Sequence, residues 1–537
     1  MAKRIDPSKL SDAEALELYR DPAWRLSHLY KIVAKGDGEG GEGSLVVTFK
    51  PNRAQRRLLA RLHSRNVILK ARQLGFSTLV CILWLDTALF SEDPMACAIV
   101  AQDRDTAGKL FAKVIFAYDR LPDALKAQFP IVKRTAEEVQ FGHNGASVRV
   151  ATSARGGTIH RLHVSEMGKI GAKYPQKAKE IVTGSIPAVP LTGIVIVEST
   201  AEGESGRYYE MVKAAGELQA SGRPLTARDY RLHFFAWWEQ PEYRMDPDGV
   251  LLTQEDEQYF RDVEGRCGIA LEASQKAWYV ATLRSADIAG ERPLMWQEYP
   301  SYADEPFKVP QEGCYYSVQL MAARREGRVL PILPIEPGVP VNSFWDIGSN
   351  DNTVIWLHQQ VGPEDRFVRF HKSSGEPPAH YAKWLQEQGV VFGAHYLPHD
   401  AEQKRQGTDP QRNKSFREMM EELMPGQRFE TVDRIPRVLD GIQSTRIALA
   451  SCWFDEAHCS EGLKDLGTYR KEWDERRGTW KDTPFHGPDS DAADAFRQFA
   501  QAKAMGMIKG FVGSASGGYV RRAKPGVLRR RGGPMSV

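Results

Sequence analysis

The run NVILKARQLGFSTLVCILWLDTALF, residues 66–90, decides the fold. It reads as a short apolar strand at 67–69, a turn over 71–76 with Gly75 near its end, and an almost wholly apolar helix opened by Ser77 and Thr78. A glycine turn between a buried strand and a helix N-terminus offers backbone N–H groups to a phosphate, and the helix dipole adds to the attraction. The standard phosphate-loop pattern follows its last glycine with lysine and then Ser or Thr. Phe76 stands at the lysine position here, so the phosphate-binding cation comes from elsewhere, and Lys70 and Arg72 are the candidates. Ser77 keeps the hydroxyl that a bound Mg²⁺ requires.

Outward from this run, apolar strands at 98–101, 161–164 and 194–198 alternate with helical stretches from Leu45 to about Phe235. Such alternation predicts a parallel sheet covered by helices. The stretch IHRLHVSE, 159–166, is a strand ending in an acid. In phosphate-loop ATPases that strand ends in Asp-Glu, the first acid holding Mg²⁺ through water and the second orienting the attacking water. Ser165 takes the first position and brings no charge; Glu166 takes the second and is expected to activate water. In IVIVESTAEG, Glu198, Ser199, Thr200 and Ala201 form a polar strand end placed to sense a γ-phosphate. Upstream, Gln55 is expected to take the adenine edge of ATP through its amide donor and acceptor. Arg155, in Ala154-Arg155-Gly156-Gly157, suits a finger reaching the γ-phosphate in cis or from a neighbouring subunit.

A length of 537 residues suggests roughly two to four domains at ~150 each. No apolar run approaches the ~20 residues of a membrane span, and the start MAKRIDPSKLSDAE has no apolar core for a secretion signal. Six scattered cysteines argue for a reducing compartment. Cys452, Cys459 and His458 fit no common zinc spacing. From Lys509 to Arg531 there are seven basic residues and no acidic one, so the remainder of the chain is net acidic despite an overall +3.

The expected organisation is a helical segment and glycine-rich connection at 1–44, an ATPase core at 45–240, a helical lid or linker subdomain at 241–330, a proline-rich linker at 331–340, a second domain at 341–505 and a basic tail at 506–537. A capping box from Ser11 to Glu14 predicts a helix over 11–19, and GDGEGGEG, 36–43, cannot pack. The second domain opens with VNSFWDIGSN, then strands TVIWLH and RFVRFH, a helix over 379–388 and the strand VVFGAHYLP. Strand–strand–strand–helix–strand is the opening order of the ribonuclease H-like fold. Asp346 ends the first strand, Asp400 follows the fourth, and Asp491 and Asp494 share one face of the last helix. Acids meeting from those places are what a two-metal phosphodiester hydrolase needs, and oxygen ligands suit Mg²⁺ or Mn²⁺. Asp351 is a weaker candidate, better read as a turn residue.

Taken in order, Arg72-Gln73-Leu74-Gly75-Phe76-Ser77-Thr78, Val164-Ser165-Glu166 and Ser199-Thr200-Ala201 resemble the large terminase subunits of tailed bacteriophages. That family has a deviant phosphate loop of the form R-Q-x-G-x-S/T, a strand ending in v-s-E and an S-T-A/P coupling segment. WQEYPSYADEPF, 296–307, is similar to the family's close of the ATPase module, and the resemblance spans about 45 to 500. Phe76, and Ser165 in place of the usual aspartate, depart from the pattern. So does Asp491, which stands where Ser-His-x-x-Asp-Ala has histidine. The resemblance implies an α/β chain: a P-loop ATPase of the additional-strand, catalytic-glutamate (ASCE) type with a parallel sheet, then a ribonuclease H-like nuclease. It implies ATP and Mg²⁺ or Mn²⁺ as cofactors, two ions in the nuclease site, with Asp346, Asp400, Asp494 and the neighbouring Asp491 as nuclease ligands and Ser77 as the ATPase one. The implied partners are double-stranded DNA, the procapsid portal, a small terminase subunit and a pentameric ring of copies, in the host cytoplasm and away from membranes. A repair helicase–nuclease and a non-hydrolysing ATP-binding docking scaffold are the rival readings.

Overall fold

A computed structural model describes residues 17–34, 45–154, 157–204, 206–309, 312–348, 352–403, 414–487 and 489–508. The helix start and capping box expected at 11–16, the glycine run and the basic tail lie outside the described residues. The chain packs as two compact units, Met1–Arg325 with Leu463–Ser490, and Glu326–Gly462 with Asp491–Val537. Thus 463–490, expected within the second domain, groups with the first unit, and 326–340 groups with the second.

In the first unit an eight-stranded sheet runs, in spatial order, Arg231–Phe235, Arg65–Lys70, Ile194–Ser199, Arg161–Ser165, Ala96–Val100, Ser147–Ala151, Glu138–Phe141 and Ile131–Arg134. The first six strands are parallel and the last two antiparallel. All four expected strands are present, and Ile194–Ser199 lies between the phosphate-loop strand and the strand ending at Glu166, as the additional-strand arrangement requires. Every residue of Arg65–Lys70 is buried, and its centre, Val67, Ile68 and Leu69, is the apolar run expected of a strand covered on both faces. The helix Phe76–Phe90 is apolar on all sides because it is enclosed on all sides.

The segment assigned to 1–44 is not all peripheral. The helix Pro22–His28, capped by Asp21, and the strand Lys31–Ala34, paired antiparallel with Leu45–Thr48, bring Leu26, Leu29 and Tyr30 into the core. Arg25 donates two 2.8 Å bonds to Asp86, which also accepts from the Tyr30 hydroxyl at 2.7 Å. A buried charge pair of this kind is invisible to a reading that looks for apolar periodicity. The expected lid consists of helices Gln254–Cys267, Ala273–Leu283 and Arg292–Glu298 around stacked rings, Tyr243 on Trp278 at 4.2 Å among them.

The second unit holds a seven-stranded sheet in the order Val329–Leu330, Cys452–Asp455, Glu364–Ser374, Asn352–Val361, Val341–Asp346, Phe392–Pro398 and Phe429–Val432. Val341–Asp346, Asn352–Val361 and Glu364–Ser374 form the antiparallel meander, and Phe392–Pro398 and Phe429–Val432 extend it in parallel. This is the ribonuclease H-like order. Phe496 and Phe499 of the helix Ser490–Ala504 pack on Trp356, Phe367 and Phe344, pinning the last helix to the central strands. Among the described residues no helix is long and apolar enough to cross a membrane.

Candidate active sites

The phosphate loop is held in an unusual backbone shape. Gly75 has φ 72° and Gln73 φ 62°, the left-handed region that a non-glycine residue enters at a cost of ~1–3 kcal/mol. A Cβ at Gly75 would stand 2.8 Å from the Gln55 amide nitrogen, so glycine is needed there twice over. Phe76, in the lysine position, is buried against Phe235, with ring centroids 4.7 Å apart. A buried cation stands instead at the end of the strand that leads into the loop. Lys70 Nζ lies 3.2 Å from Glu198 Oε2 and 3.8 Å from Glu166 Oε1. Burial alone would lower its pKa, but Glu198 and then Glu166 outweigh that and hold it above the ordinary lysine value. Arg72 is more exposed, and its Nε meets Glu298 Oε2 at 3.5 Å.

Glu198 is the acid that sequence reasoning undervalued. It is fully buried and accepts from Ser77 Oγ at 2.6 Å and from Ser165 Oγ at 3.2 Å, with His163 Nε2 at 3.3 Å. Burial works to raise its pKa; Lys70, helped by His163 and Ser77, overrides burial and keeps the carboxyl well below the usual range. The signal was available, since IVIVE is an otherwise apolar strand broken by one acid.

Glu166 ends its strand with φ 60°, a second strained non-glycine residue at this centre. Its carboxylate accepts from Ser199 Oγ at 3.4 Å and has Lys169 Nζ at 3.5 Å. Ser199 in turn accepts from the Gly168 N–H at 3.0 Å. The strand end at 198–199 therefore touches both the Ser77 hydroxyl and Glu166, while the buried Thr200 hydroxyl has no hydrogen-bond partner among the described residues. Ser77, Lys70, Glu166 and Ser199 are brought together.

Three expectations fare differently. Gln55 is buried: its carbonyl accepts from Asn52 N–H at 2.9 Å and its amide donates to Gly75 O at 2.8 Å, so it braces the loop rather than presenting an edge to adenine. Thr78 accepts from Lys113 Nζ at 3.0 Å and is directed away from Ser77's partners. Arg155 lies outside the described residues. A cavity of about 110 Å³ beside Leu74 is lined by Arg53, Arg57, Phe235, Glu239 and Gln240, none of them singled out from the sequence.

In the second unit Asp346 is half-buried, and its carboxyl is pushed well above the ordinary value by desolvation and by Asp494, Asp491 and Asp400; Arg497 only partly offsets them. The acids of first strand, fourth strand and last helix do converge electrostatically. They are not arranged as a ligand set: among the described residues no three His, Cys, Asp or Glu side chains are placed to hold an ion. Asp494 pairs with Arg497 at 2.6 Å and Asp491 accepts from Asn352 Nδ2 at 2.9 Å. Like charges in a nearly dry site turn to whatever donors are at hand. Asp351 lies outside the described residues. Cys452 and Cys459 donate to backbone carbonyls, and His458 Nδ1 lies 2.8 Å from Asp455 Oδ1.

No family model and no curated protein matches this chain. Among solved structures, it is similar to the HK97 bacteriophage large terminase at 12% identity, covering 82% of this chain and 91% of that one with a TM-score of 0.39. The large terminase of the thermophilic bacteriophage D6E in complex with ADP matches at 15% identity, 82% and 93% coverage and a TM-score of 0.26. The P22 large terminase nuclease domain matches at 15% identity, covering 33% of this chain and 87% of that one, with a TM-score of 0.25. The solved structures it resembles are large terminases. At these identities and TM-scores the likeness carries no argument about chemistry, which rests on the residues above.

Proposed function

We propose that the chain is a terminase large subunit, whose first unit hydrolyses ATP to drive viral double-stranded DNA into a procapsid and whose second unit cuts the concatemer. The observation that carries the reading is the pairing in one chain of two acid centres. One lies at a phosphate loop in an additional-strand sheet, and the other is at the crossing of first strand, fourth strand and last helix in a ribonuclease H-like sheet. Nothing among the described residues forms the second phosphate-loop sheet that a helicase would need.

In this reading the helix N-terminus at Ser77 binds the phosphates, and Glu166 takes the proton of the attacking water. Lys70 balances Glu166 and Glu198 from within, leaving Arg72 at the mouth to meet the phosphates. The cavity beside Leu74, lined by Arg53 and Gln240 among others, is the candidate place for the base, the amide of Gln55 being committed to the loop. Thr78 then serves the helix rather than the nucleotide. Arg155 is the candidate finger. In the second unit Asp346, Asp400 and Asp494 hold divalent cations, with Asp491 beside them. The all-oxygen donor set and the unbalanced charge on Asp346 fit Mg²⁺ or Mn²⁺, which when bound stabilise the attacking and leaving oxygens of the phosphodiester. The portal, a small terminase subunit and a ring of five copies are the partners this role entails, in the host cytoplasm.

Purified protein with procapsids and DNA should release phosphate and cut DNA in an EDTA-sensitive manner. Glu166→Gln should abolish turnover, a loss of ~10²–10⁴-fold for a general base, while ATP still binds. Asp346→Ala should end cleavage and spare the ATPase. Loss of both activities in either variant with a normal fold refutes the two-site reading.

A further inference from the structure

We propose that Glu198 supplies the carboxylate that positions the metal-bound water at the nucleotide site, replacing the aspartate that Ser165 displaces; this rests on the ATP-binding reading above. A Mg²⁺ ion on a phosphate-loop serine keeps most of its waters, and those waters need an anionic acceptor close to the serine hydroxyl. Ser165 can accept a hydrogen bond but carries no charge. Glu198 faces Ser165 directly in the parallel pairing of the two neighbouring strands. One of its oxygens reaches both hydroxyls, 2.6 Å from Ser77 Oγ and 3.2 Å from Ser165 Oγ. The charge has therefore moved one strand sideways at the same level of the sheet, and the extra methylene of glutamate over aspartate spans the difference.

One further observation fits a site prepared for a polar ligand. Glu198 Oε2 is met by Lys70 Nζ at 3.2 Å, but the Thr200 hydroxyl, two residues on, is buried with no hydrogen-bond partner among the described residues. Lys70 and His163 hold the acid ionised before any ion arrives. Glu198 is thus a positioning residue, acting through Ser77 and water, whereas Glu166 acts on the attacking water.

The test is the affinity of the full chain for a fluorescent ATP analogue, measured in Mg²⁺ and in EDTA, with thermal melts to verify folding. Wild type should bind at least ~10-fold tighter in Mg²⁺, a difference of ~1.4 kcal/mol. Glu198→Gln should lose that increment, the ratio of Mg²⁺ to EDTA affinity falling towards one, and adding Ser165→Asp to it should restore most of the Mg²⁺ dependence. Full Mg²⁺ dependence in Glu198→Gln, or equal weakening with and without Mg²⁺, overturns the proposal and leaves Glu198 structural. If Glu198→Gln does not fold, Glu198→Asp keeps the partner of Lys70 while withdrawing from Ser77. It should raise the Mg²⁺ concentration for half-maximal binding several-fold, and an unchanged value overturns the proposal too. A wild type that binds no nucleotide in either buffer defeats instead the ATP reading beneath it.

Discussion

The two acid centres of this chain solve the same electrostatic problem in opposite ways. At the nucleotide centre, Glu198 is fully buried yet held ionised, because Lys70 and His163 are built in beside it. At the centre in the second unit, Asp346 is half-buried and is surrounded by Asp494, Asp491 and Asp400, which Arg497 only partly offsets. The first has its counter-charge built in; the second does not. A buried acid thus reports little by itself, and what decides its state is the sign of its neighbours.

The largest expected effect breaks the built-in balance. Lys70→Met leaves Glu198 buried without its cation and should destabilise the first unit by about 3–5 kcal/mol, with most of the loss recovered in Lys70→Met/Glu198→Gln. A double-mutant cycle by denaturant melts measures this, and simple additivity would mean that the pair is not the source of the balance.

Next, burial without any like-charged crowd can be isolated at Glu305, which is buried, accepts from the Tyr259 hydroxyl at 2.9 Å, and is pushed up to about 7 by burial. In the folded chain it holds a proton that the unfolded chain has lost above about 4.5, so its contribution is complete below that pH and disappears as pH rises through about 7. Glu305→Gln should flatten this part of the melting profile, worth up to ~3 kcal/mol, and Mg²⁺ should not alter it. Asp346→Asn offers the contrasting case. Its folded pKa is also raised, so metal-free stability falls as pH climbs above about 3.8. The variant should raise the melting temperature in EDTA, by an amount on the order of 1–2 kcal/mol, and abolish the stabilisation by Mg²⁺ or Mn²⁺ seen in wild type. Wild type that gains nothing from either ion would remove the metal from this centre.

The smallest effect concerns the loop's brace. Gln55→Ala removes the bond to Gly75 O and half of a capping box, and should cost about 1 kcal/mol with a several-fold weaker nucleotide affinity at unchanged turnover in excess ATP. A fall in turnover instead would give Gln55 a part in the chemistry.

Much of this architecture was legible in the chain itself. The strands around 67–69, 98–101, 161–164 and 194–198 announced themselves because a parallel sheet covered on both faces demands apolar runs. Glu138–Phe141 and the edge strand beyond it, Ile131–Arg134, mix polar residues with apolar ones and gave no such signal. Ser77 and Lys70 could be placed from their distance to Gly75, since a strand, a turn and a helix start leave the backbone little freedom, and Glu166 from its place at the end of an apolar strand. Gln55 was misread because an amide has the same donor and acceptor for a base edge as for a carbonyl and an N–H of its own chain.

The order of strands and turns, and with it the two-sheet plan and the positions of the acids along it, is determined by the sequence alone, because periodicity and punctuation act over a few residues at a time. Which acid meets which cation was decided only when the sheets formed. Glu198 met Ser77, 121 residues away, and Lys70 met Glu198 across a strand boundary. Electrostatic pairing depends on distance through space, and strand register, not separation along the chain, sets that distance.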